Sequence, residues 1–271
     1  MTNAMDWQGA TGRNWADEWR RTDRSFAELT ARLLDRIAQR PGRDVLDIGC
    51  GAGELSHAIA VARRDARVTG LDISPELVAA ASARAGENAR FFLGDAASWA
   101  EPGFSPDLLV SRHGVMFFDD PPAAFAHLAA ISAPGAALVF SCFRAPALNP
   151  WATGIGKLVA APDAPPPDPE APGPFAFAEP DRVRRILEPA WTDVVFEEAD
   201  FRYIAGAGED PVADSLAFFS RIGPFAAALR ETLPERRAEL EARLTAFVQS
   251  NCSGGTVGFP AAAWIVTARK A

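Results

Sequence analysis

The chain has 271 residues, enough for one large domain or for one domain with a sizeable insertion. Its net charge of −8 argues against a broad basic surface for DNA or RNA, because phosphate binding needs clustered lysine and arginine. No apolar run has the length of a signal peptide or a membrane span, and the three distant cysteines lack metal-ligand spacing. We therefore expect a cytoplasmic protein with reduced thiols, no metal site and no nucleic-acid partner.

The first predicted element is a helix over residues 14–39. Trp15, Trp19 and Phe26 begin an apolar series that continues at helical spacing to Ile37. We therefore expect residues 1–40 to form an N-terminal helical segment.

From residue 45 onward, short apolar strands alternate with helices. This alternation predicts a parallel sheet covered by helices on both faces. The predicted strands are 45–49, 67–74, 89–96, 107–113 and 136–143, and the predicted helices are 54–64, 75–85 and 121–132.

A proline-rich stretch then interrupts the alternation. Seven of the thirteen residues between 162 and 174 are proline, which excludes helix and central strand there and predicts a lid insertion over residues 145–180. A second insertion, over residues 208–255, is predicted to be helical and broken near Gly223–Pro224. The other predicted elements are a helix over 180–190 and strands over 192–205 and 261–270, so we expect a single domain, 1–271, with two insertions.

A glycine-rich turn, VLDIGCGAGELS at residues 45–56, follows the first predicted strand. It lacks the lysine of a phosphate-binding P-loop. Its glycines are Gly49, Gly51 and Gly53, and Glu54 stands where a dinucleotide-binding turn has its third glycine. A carboxylate there would repel a pyrophosphate, so the turn suits a ligand without phosphate.

Two further motifs follow the glycine turn in order: VTGLDISPELV at residues 68–78 and FFLGDAASW at 91–99. Together the three resemble the successive motifs of class I S-adenosylmethionine-dependent methyltransferases, over about residues 40–145. The resemblance implies a Rossmann-like, doubly wound, seven-stranded, mostly parallel sheet with an antiparallel last strand. The pattern, including the tail GTVGFPAAAWIVTARK, is also similar to bacterial methyltransferases near the quinone-biosynthesis type.

The resemblance implies that the glycine turn holds the methionine end of the cofactor. Gly49, Cys50 and Gly51 would let the backbone approach it, Asp47 would orient its amino group, and Gly53 would allow close packing of the next helix.

The following strand ends would hold the adenosine. Asp72 would accept the ribose hydroxyls, or it could merely cap the next helix. Ile73 would lie against the adenine ring. Asp95 would accept the adenine amino group, or it could simply end a strand, and the backbone of Ala96 would meet a ring nitrogen.

Four more residues complete the cofactor prediction. Ser111 and Arg112, at the end of the fourth strand, would line the floor beneath the sulfonium. Trp15 and Trp19 would close the cofactor side, or they could form a plain helix-docking stripe.

The acceptor side offers one candidate catalytic residue. His113 could act as a base facing the methyl group, or it could pack beneath its loop or face solvent. The sequence DDPPAAF at residues 119–125 resembles a nucleic-acid methyltransferase signature, but Ala123 provides no ring to stack on a base. Met116, Phe117 and Phe118 would lie at the mouth of an apolar cleft, or they could simply pack in the core.

These features predict methyl transfer to an apolar or aromatic small molecule by a mainly positioning mechanism. Oxygen, nitrogen and carbon all stay open as the accepting atom, and so does the oligomeric state. The alternatives are a non-catalytic S-adenosylmethionine-binding protein and an NAD-dependent enzyme.

Overall fold

The structure is a computed structural model that describes residues 7–160 and 168–271. Its centre is one twisted sheet of strand order β3-β2-β1-β4-β5-β8-β6, with a two-residue strand, β7, paired to β8. Strands β1 to β5 are mutually parallel, and β8 runs antiparallel to both β5 and β6. The strands are β1 (Asp44–Ile48), β2 (Arg67–Asp72), β3 (Ala89–Leu93), β4 (Leu108–Arg112), β5 (Ala137–Phe143), β6 (Trp191–Gly206), β7 (Cys252–Ser253) and β8 (Thr256–Lys270).

The predicted fold class is confirmed, with β7 as the only strand beyond the expected seven in the described part of the chain. The central strands are buried along nearly their whole length because helices cover both faces of the sheet. The order of the strands changes direction between β1 and β4, and their carboxyl ends open a crevice there. In open α/β sheets, this is the place where ligands bind.

The predicted single helix over residues 14–39 is wrong. Three helices occupy this segment: α1 (Ala10–Asp17), α2 (Trp19–Ser25) and α3 (Ala27–Ala38). The chain bends at Glu18 and Phe26, and no glycine or proline between residues 14 and 39 marks either bend. The helical spacing of apolar residues continues across the bends because Phe26 and the apolar face of α3 pack into the same core.

The helices between the first strands begin with side-chain caps that the sequence indicates. Ser74 accepts a hydrogen bond from the Leu77 N–H, and Asp120 accepts one from the Ala123 N–H, each followed by proline at the first helical position. The motif DDPPAAF is therefore a helix start. The helices are α4 (Glu54–Ala62), α5 (Pro75–Ser82) and α6 (Pro121–Ile131).

The predicted lid insertion contains a helix that was not predicted. Helix α7 (Pro150–Val159) precedes the proline-rich stretch, whose residues 161–167 lie outside the described part of the chain. Residues 1–6 of the predicted N-terminal segment also lie outside it. Helix α8 (Pro180–Leu187) follows and leads into β6.

The predicted helical cap has three helices, one more than expected. They are α9 (Pro211–Arg221), α10 (Gly223–Glu231) and α11 (Pro234–Ser250). The first break lies at the predicted Gly223, whereas the second, before Pro234, was missed. Helices α10 and α11 both pack against α7, so the two insertions form one cover over the sheet edge.

An ion-pair cluster joins the N-terminal helices to this cover. Asp214 of α9 accepts from Arg21 Nε at 2.7 Å and pairs with Arg24 Nη1 at 2.7 Å. The carboxylate of Glu18, which is 5% exposed, pairs with Arg21 and with Arg221 of α9. These contacts hold α1 and α2 beside the cap.

Within the described residues, no single helix is long and apolar enough to cross a membrane. Helices α9 and α10 reach the required length and composition only when taken together across a 67° bend.

Candidate active site

A cleft of about 1700 Å³ lies at the carboxyl ends of β1, β2 and β4. Helices α1 and α2 close one side, and the cap closes the other. This volume exceeds the usual few hundred Å³ of a single small-ligand site, so the cleft has room for two ligands side by side.

Twelve of the fourteen predicted site residues line this cleft, and two do not. Gly53 immediately precedes α4 with a φ of +87°, and a Cβ there would lie 2.7 Å from the His57 ring, which fits the predicted packing role. Ser111 is fully buried, and its hydroxyl donates to the Ile48 carbonyl at 2.6 Å, so it supports the floor from beneath. The lining residues are Trp15, Trp19, Asp47, Gly49, Cys50, Gly51, Asp72, Ile73, Asp95, Ala96, Arg112 and His113.

The glycine turn places bare backbone against the cleft. Gly49 and Gly51 adopt φ values of +63° and +56°, which L side chains rarely adopt. A Cβ at Gly49 would approach the Gly114 Cα to 2.9 Å, whereas a Cβ at Gly51 would meet no atom within 4 Å. Gly49 is therefore required by the local packing, and Gly51 leaves open the space that a ligand would fill.

Asp72 organises this turn from the end of β2. Its Oδ2 accepts from the Gly51 N–H at 2.8 Å and its Oδ1 from the Ser74 N–H at 2.9 Å. The alternative that Asp72 caps α5 fails, because the Ser74 hydroxyl is the cap. Burial raises the pKa of Asp72, although both backbone hydrogen bonds oppose that rise.

Asp95 stands after β3, in a more open position. Its Oδ1 accepts from the Ala97 N–H at 2.8 Å, a side-chain turn at the strand end. Ile73 and Ala96 line the cleft beside Asp72 and Asp95, so the ends of β2 and β3 form one continuous surface.

Asp47 is 1% exposed at the end of β1. Its Oδ2 accepts from the Ser56 hydroxyl at 2.5 Å, while its Oδ1 has no partner in the described part of the protein. Burial raises the pKa of Asp47 to about 7, and the hydrogen bond from Ser56 and the charge of Arg112 oppose the rise. A buried carboxylate oxygen without a donor is costly unless a ligand supplies one.

Arg112 is held by the N-terminal helices. It donates through Nη1 to Thr30 Oγ1 and through Nη2 to Asp23 Oδ1, both at 2.8 Å. Sequence reasoning missed Asp23 and its neighbour Thr22, which line the cleft from α2. No sequence signal distinguishes them, since charged and hydroxyl residues on a helix usually face solvent.

The two predicted tryptophans also lie at the cleft. Trp15 packs against Trp7 with ring centroids 5.7 Å apart, and the Arg84 guanidinium lies 3.8 Å above the Trp19 ring. Both rings line the cleft, and their role in closing the cofactor side stays a prediction.

His113 follows β4 with a φ of +60°, a conformation that costs a non-glycine residue about 1–3 kcal/mol. Its ring stacks on Phe143 with centroids 4.1 Å apart, and neither ring nitrogen has a partner among the described residues. Burial lowers the pKa of His113 to about 3, so the imidazole is neutral at physiological pH. Met116, Phe117 and Phe118 line the cleft nearby, and Met116, which is 1% exposed, also belongs to the core.

The sheet order, the glycine turn after β1 and the acidic residues after β2 and β3 define the class I methyltransferase fold. The chain belongs to the family described as a methyltransferase domain, whose model matches residues 18–172. It is an S-adenosylmethionine-dependent methyltransferase. The two alternatives, a non-catalytic binding protein and an NAD-dependent enzyme, are therefore set aside.

Similar proteins agree with this assignment. The chain is 29% identical over 249 residues to nocamycin O-methyltransferase of Saccharothrix syringae, covering 86% of this chain and 87% of that one. It is 32% identical over 197 residues to trans-aconitate 2-methyltransferase of Methylobacterium radiotolerans, covering 68% and 65%.

Solved structures share the fold. The N-methyltransferase NodS from Bradyrhizobium japonicum, in complex with S-adenosylhomocysteine, aligns with a TM-score of 0.55 at 18% identity, covering 97% of both chains. The YcgJ protein of Bacillus subtilis also aligns with a TM-score of 0.55, at 19% identity, covering 89% of this chain and 98% of that one.

The cleft fits S-adenosylmethionine, the cofactor of this class. The open space above Gly51 and the unpartnered oxygen of Asp47 suit a ligand that carries a cationic amino group and no phosphate. The residues that would hold it are those predicted from the motifs at the ends of β1, β2 and β3.

We expect cofactor affinity to depend on pH through Asp47. A pKa of about 7 means that the carboxyl is neutral below that pH, and a bound ammonium would favour the ionised form. Affinity for S-adenosylhomocysteine should therefore fall below pH 7, approaching about tenfold per pH unit. Isothermal titration calorimetry between pH 5.5 and 8.5 measures this dependence. Asp47→Asn should bind more weakly and without the pH dependence, and an unchanged slope in this variant would contradict the assignment.

Proposed function

We propose that the enzyme transfers the methyl group of S-adenosylmethionine to a hydroxyl oxygen of a neutral, aromatic or apolar small molecule. The observation that carries the proposal is an aromatic wall in the cleft with the unpartnered nitrogens of His113 in its midst. The likeness to O-methyltransferases favours oxygen as the accepting atom.

The sheet order separates two regions of the cleft. Most of the predicted cofactor residues lie at the ends of β1, β2 and β3, on one side of the crossover point, whereas Phe143 ends β5 and Tyr203 lies on β6, on the other. His113 follows β4, between the two regions. An acceptor beside Phe143 would therefore meet the cofactor next to His113.

The acceptor region is walled by aromatic rings in mutual contact. Trp151 stacks on Tyr203 with centroids 4.6 Å apart, and Phe143 contacts both Trp151 and Phe175. Phe26 packs against Tyr203 and against His113. Such a surface favours a flat apolar molecule, because ring stacking and burial of apolar area provide the binding energy.

The charges around the cleft disfavour a polyanionic acceptor such as trans-aconitate. Among the described lining residues, Arg112, Arg182 and Arg221 are engaged by carboxylates. The other two lining arginines, Arg185 and Arg230, are exposed at the rim. A carboxylate on the aromatic wall would therefore lose its hydration without gaining a cation.

The cofactor supplies an electrophilic methyl group on a sulfonium. The aromatic wall would exclude water and hold the acceptor in line with it, which lowers the entropic barrier to displacement. His113 would accept a hydrogen bond from the acceptor hydroxyl, aim an oxygen lone pair and take the proton as the oxygen–methyl bond forms. The narrower resemblance to quinone-biosynthesis methyltransferases fits this class, since a quinol is a flat hydroxylated ring.

A panel of acceptors tests the proposal. Purified enzyme is incubated with methyl-labelled cofactor and with neutral phenols, hydroxylated quinols, aromatic amines or polycarboxylates including trans-aconitate. We expect transfer to the neutral hydroxylated rings, and Trp151→Ala should raise the KM for them about 10-fold or more. Turnover with polycarboxylates alone, or with amines alone, would contradict the proposed acceptor.

A further inference from the structure

Asp23 of α2 occupies a place in the cleft that the motifs do not account for. Its side chain is 13% exposed, and its Oδ1 accepts from Arg112 Nη2 at 2.8 Å. Its Oδ2 is buried and has no hydrogen-bond partner among the described residues. The hydroxyl of the neighbouring Thr22, which also lines the cleft, is buried and has no partner within residues 7–160 and 168–271.

Glu54, the first residue of α4 after the glycine turn, lies beside Asp23. Burial raises the pKa of the Glu54 carboxyl, and the negative charge of the neighbouring Asp23 raises that pKa further. The positive charges of Arg84 and Arg112 lower the pKa of Glu54 but do not cancel this rise. Helix α2 thus places a second acid against the turn, although two adjacent carboxylates repel each other.

Asp47 provides an independent indication at the same end of the cleft. It is 1% exposed and lines the cleft, and no described residue donates to its Oδ1. Its charge and that of Arg112 interact, and Arg112 is also the residue that Asp23 holds. Asp23 and Asp47 therefore both line the cleft and both interact with Arg112, and a ligand with several N–H donors would supply the donors that their unsatisfied oxygens lack.

We propose that Asp23 binds the α-ammonium group of the cofactor's methionine, opposite Asp47. The inference rests on the proposed function in that the ligand is S-adenosylmethionine or its product. An ammonium offers three N–H donors, whereas a sulfonium offers none and a carboxylate would be repelled. The N-terminal helix α2 is then a wall of the cofactor site, and the Thr22 hydroxyl offers one more acceptor beside it.

The test compares two ligands that share the adenosine moiety. S-adenosylhomocysteine carries the amino acid, and 5′-methylthioadenosine lacks it. Asp23→Asn keeps an acceptor for Arg112 and removes the charge. We expect this variant to bind S-adenosylhomocysteine about 10- to 100-fold more weakly by calorimetry, with methylthioadenosine affinity within about twofold of the wild type.

Asp17→Asn is the matched control. Asp17 lies on the adjacent helix and pairs with Arg221, but it does not line the cleft. We expect this variant to bind both ligands as the wild type does. Retained methylthioadenosine binding by Asp23→Asn also shows that the variant is folded.

Two results would overturn the inference. If Asp23→Asn bound S-adenosylhomocysteine with unchanged affinity, Asp23 would not contact the ligand. If it bound more tightly, the ligand's carboxylate, and not its ammonium, would lie beside position 23. Both leave the methyltransferase assignment intact. Failure of the wild-type protein to bind S-adenosylhomocysteine at all would instead contradict the proposed function.

Discussion

Gly51→Leu should abolish cofactor binding and leave the fold intact. A Cβ at position 51 meets no atom within 4 Å, so a longer side chain would extend into the cleft. The left-handed φ of +56° costs a non-glycine residue about 1–2 kcal/mol, which should lower the melting temperature by only a few degrees. We expect S-adenosylhomocysteine to bind about 100-fold or more weakly, because the side chain and the ligand compete for one volume.

Two alanine variants separate the effect on the ligand from the effect on the backbone. Gly51→Ala has the same backbone strain as Gly51→Leu but adds only one methyl group. Its affinity for S-adenosylhomocysteine should therefore fall between those of the wild type and Gly51→Leu. Gly49→Ala should instead destabilise the protein by about 2–4 kcal/mol, because its Cβ would approach the Gly114 Cα to 2.9 Å. Thermal unfolding measures the stability of each variant, and calorimetry measures its affinity for S-adenosylhomocysteine. If folded Gly51→Leu bound S-adenosylhomocysteine with wild-type affinity, the glycine turn would not be part of the cofactor site.

The contrast between these two glycines shows what a sequence can indicate about this site. The motifs predict that the turn approaches a ligand, and the strand ends that carry Asp72 and Asp95 follow from the alternation of strands and helices. These features are local: a short apolar run, a glycine turn and a helix start have signatures within about ten residues. The number of strands and the antiparallel last strand were predicted only through the family resemblance, and the order of the strands was not predicted.

The parts that sequence reasoning missed depend on contacts between distant segments. Glu18 and Phe26 interrupt the N-terminal helices without glycine or proline, and Glu18 there pairs with Arg221, about two hundred residues away. Asp23 reaches the cleft only because those bends aim α2 at the end of β4. No local pattern distinguishes such an aspartate from one on a solvated helix face. The aromatic wall likewise depends on contacts between distant segments, since Tyr203 and Trp151 meet only when β6 and α7 pack together.

The burial of His113 has a chemical consequence that its position in the sequence does not reveal. With a pKa of about 3, the imidazole is a weak base and cannot take a proton from a phenol in the ground state. An oxygen that is gaining a methyl group is a far stronger acid than the hydroxyl, so its proton can pass to even this imidazole. Proton transfer therefore belongs late in the displacement, and His113 acts first by aligning the hydroxyl.

His113→Phe should consequently reduce kcat about 100- to 1000-fold. The variant keeps a ring to stack on Phe143, loses both nitrogens, and should leave the affinity for S-adenosylhomocysteine unchanged. His113→Asn, which tolerates a φ of +60° and retains an acceptor, should recover part of the rate. Because the wild-type imidazole is neutral above pH 3, its kcat/KM should show no inflection from His113 between pH 5 and 8. Single-turnover rates with a neutral phenolic acceptor measure the effect, and a His113→Phe rate within about threefold of the wild type would show that the aromatic wall alone aligns the acceptor.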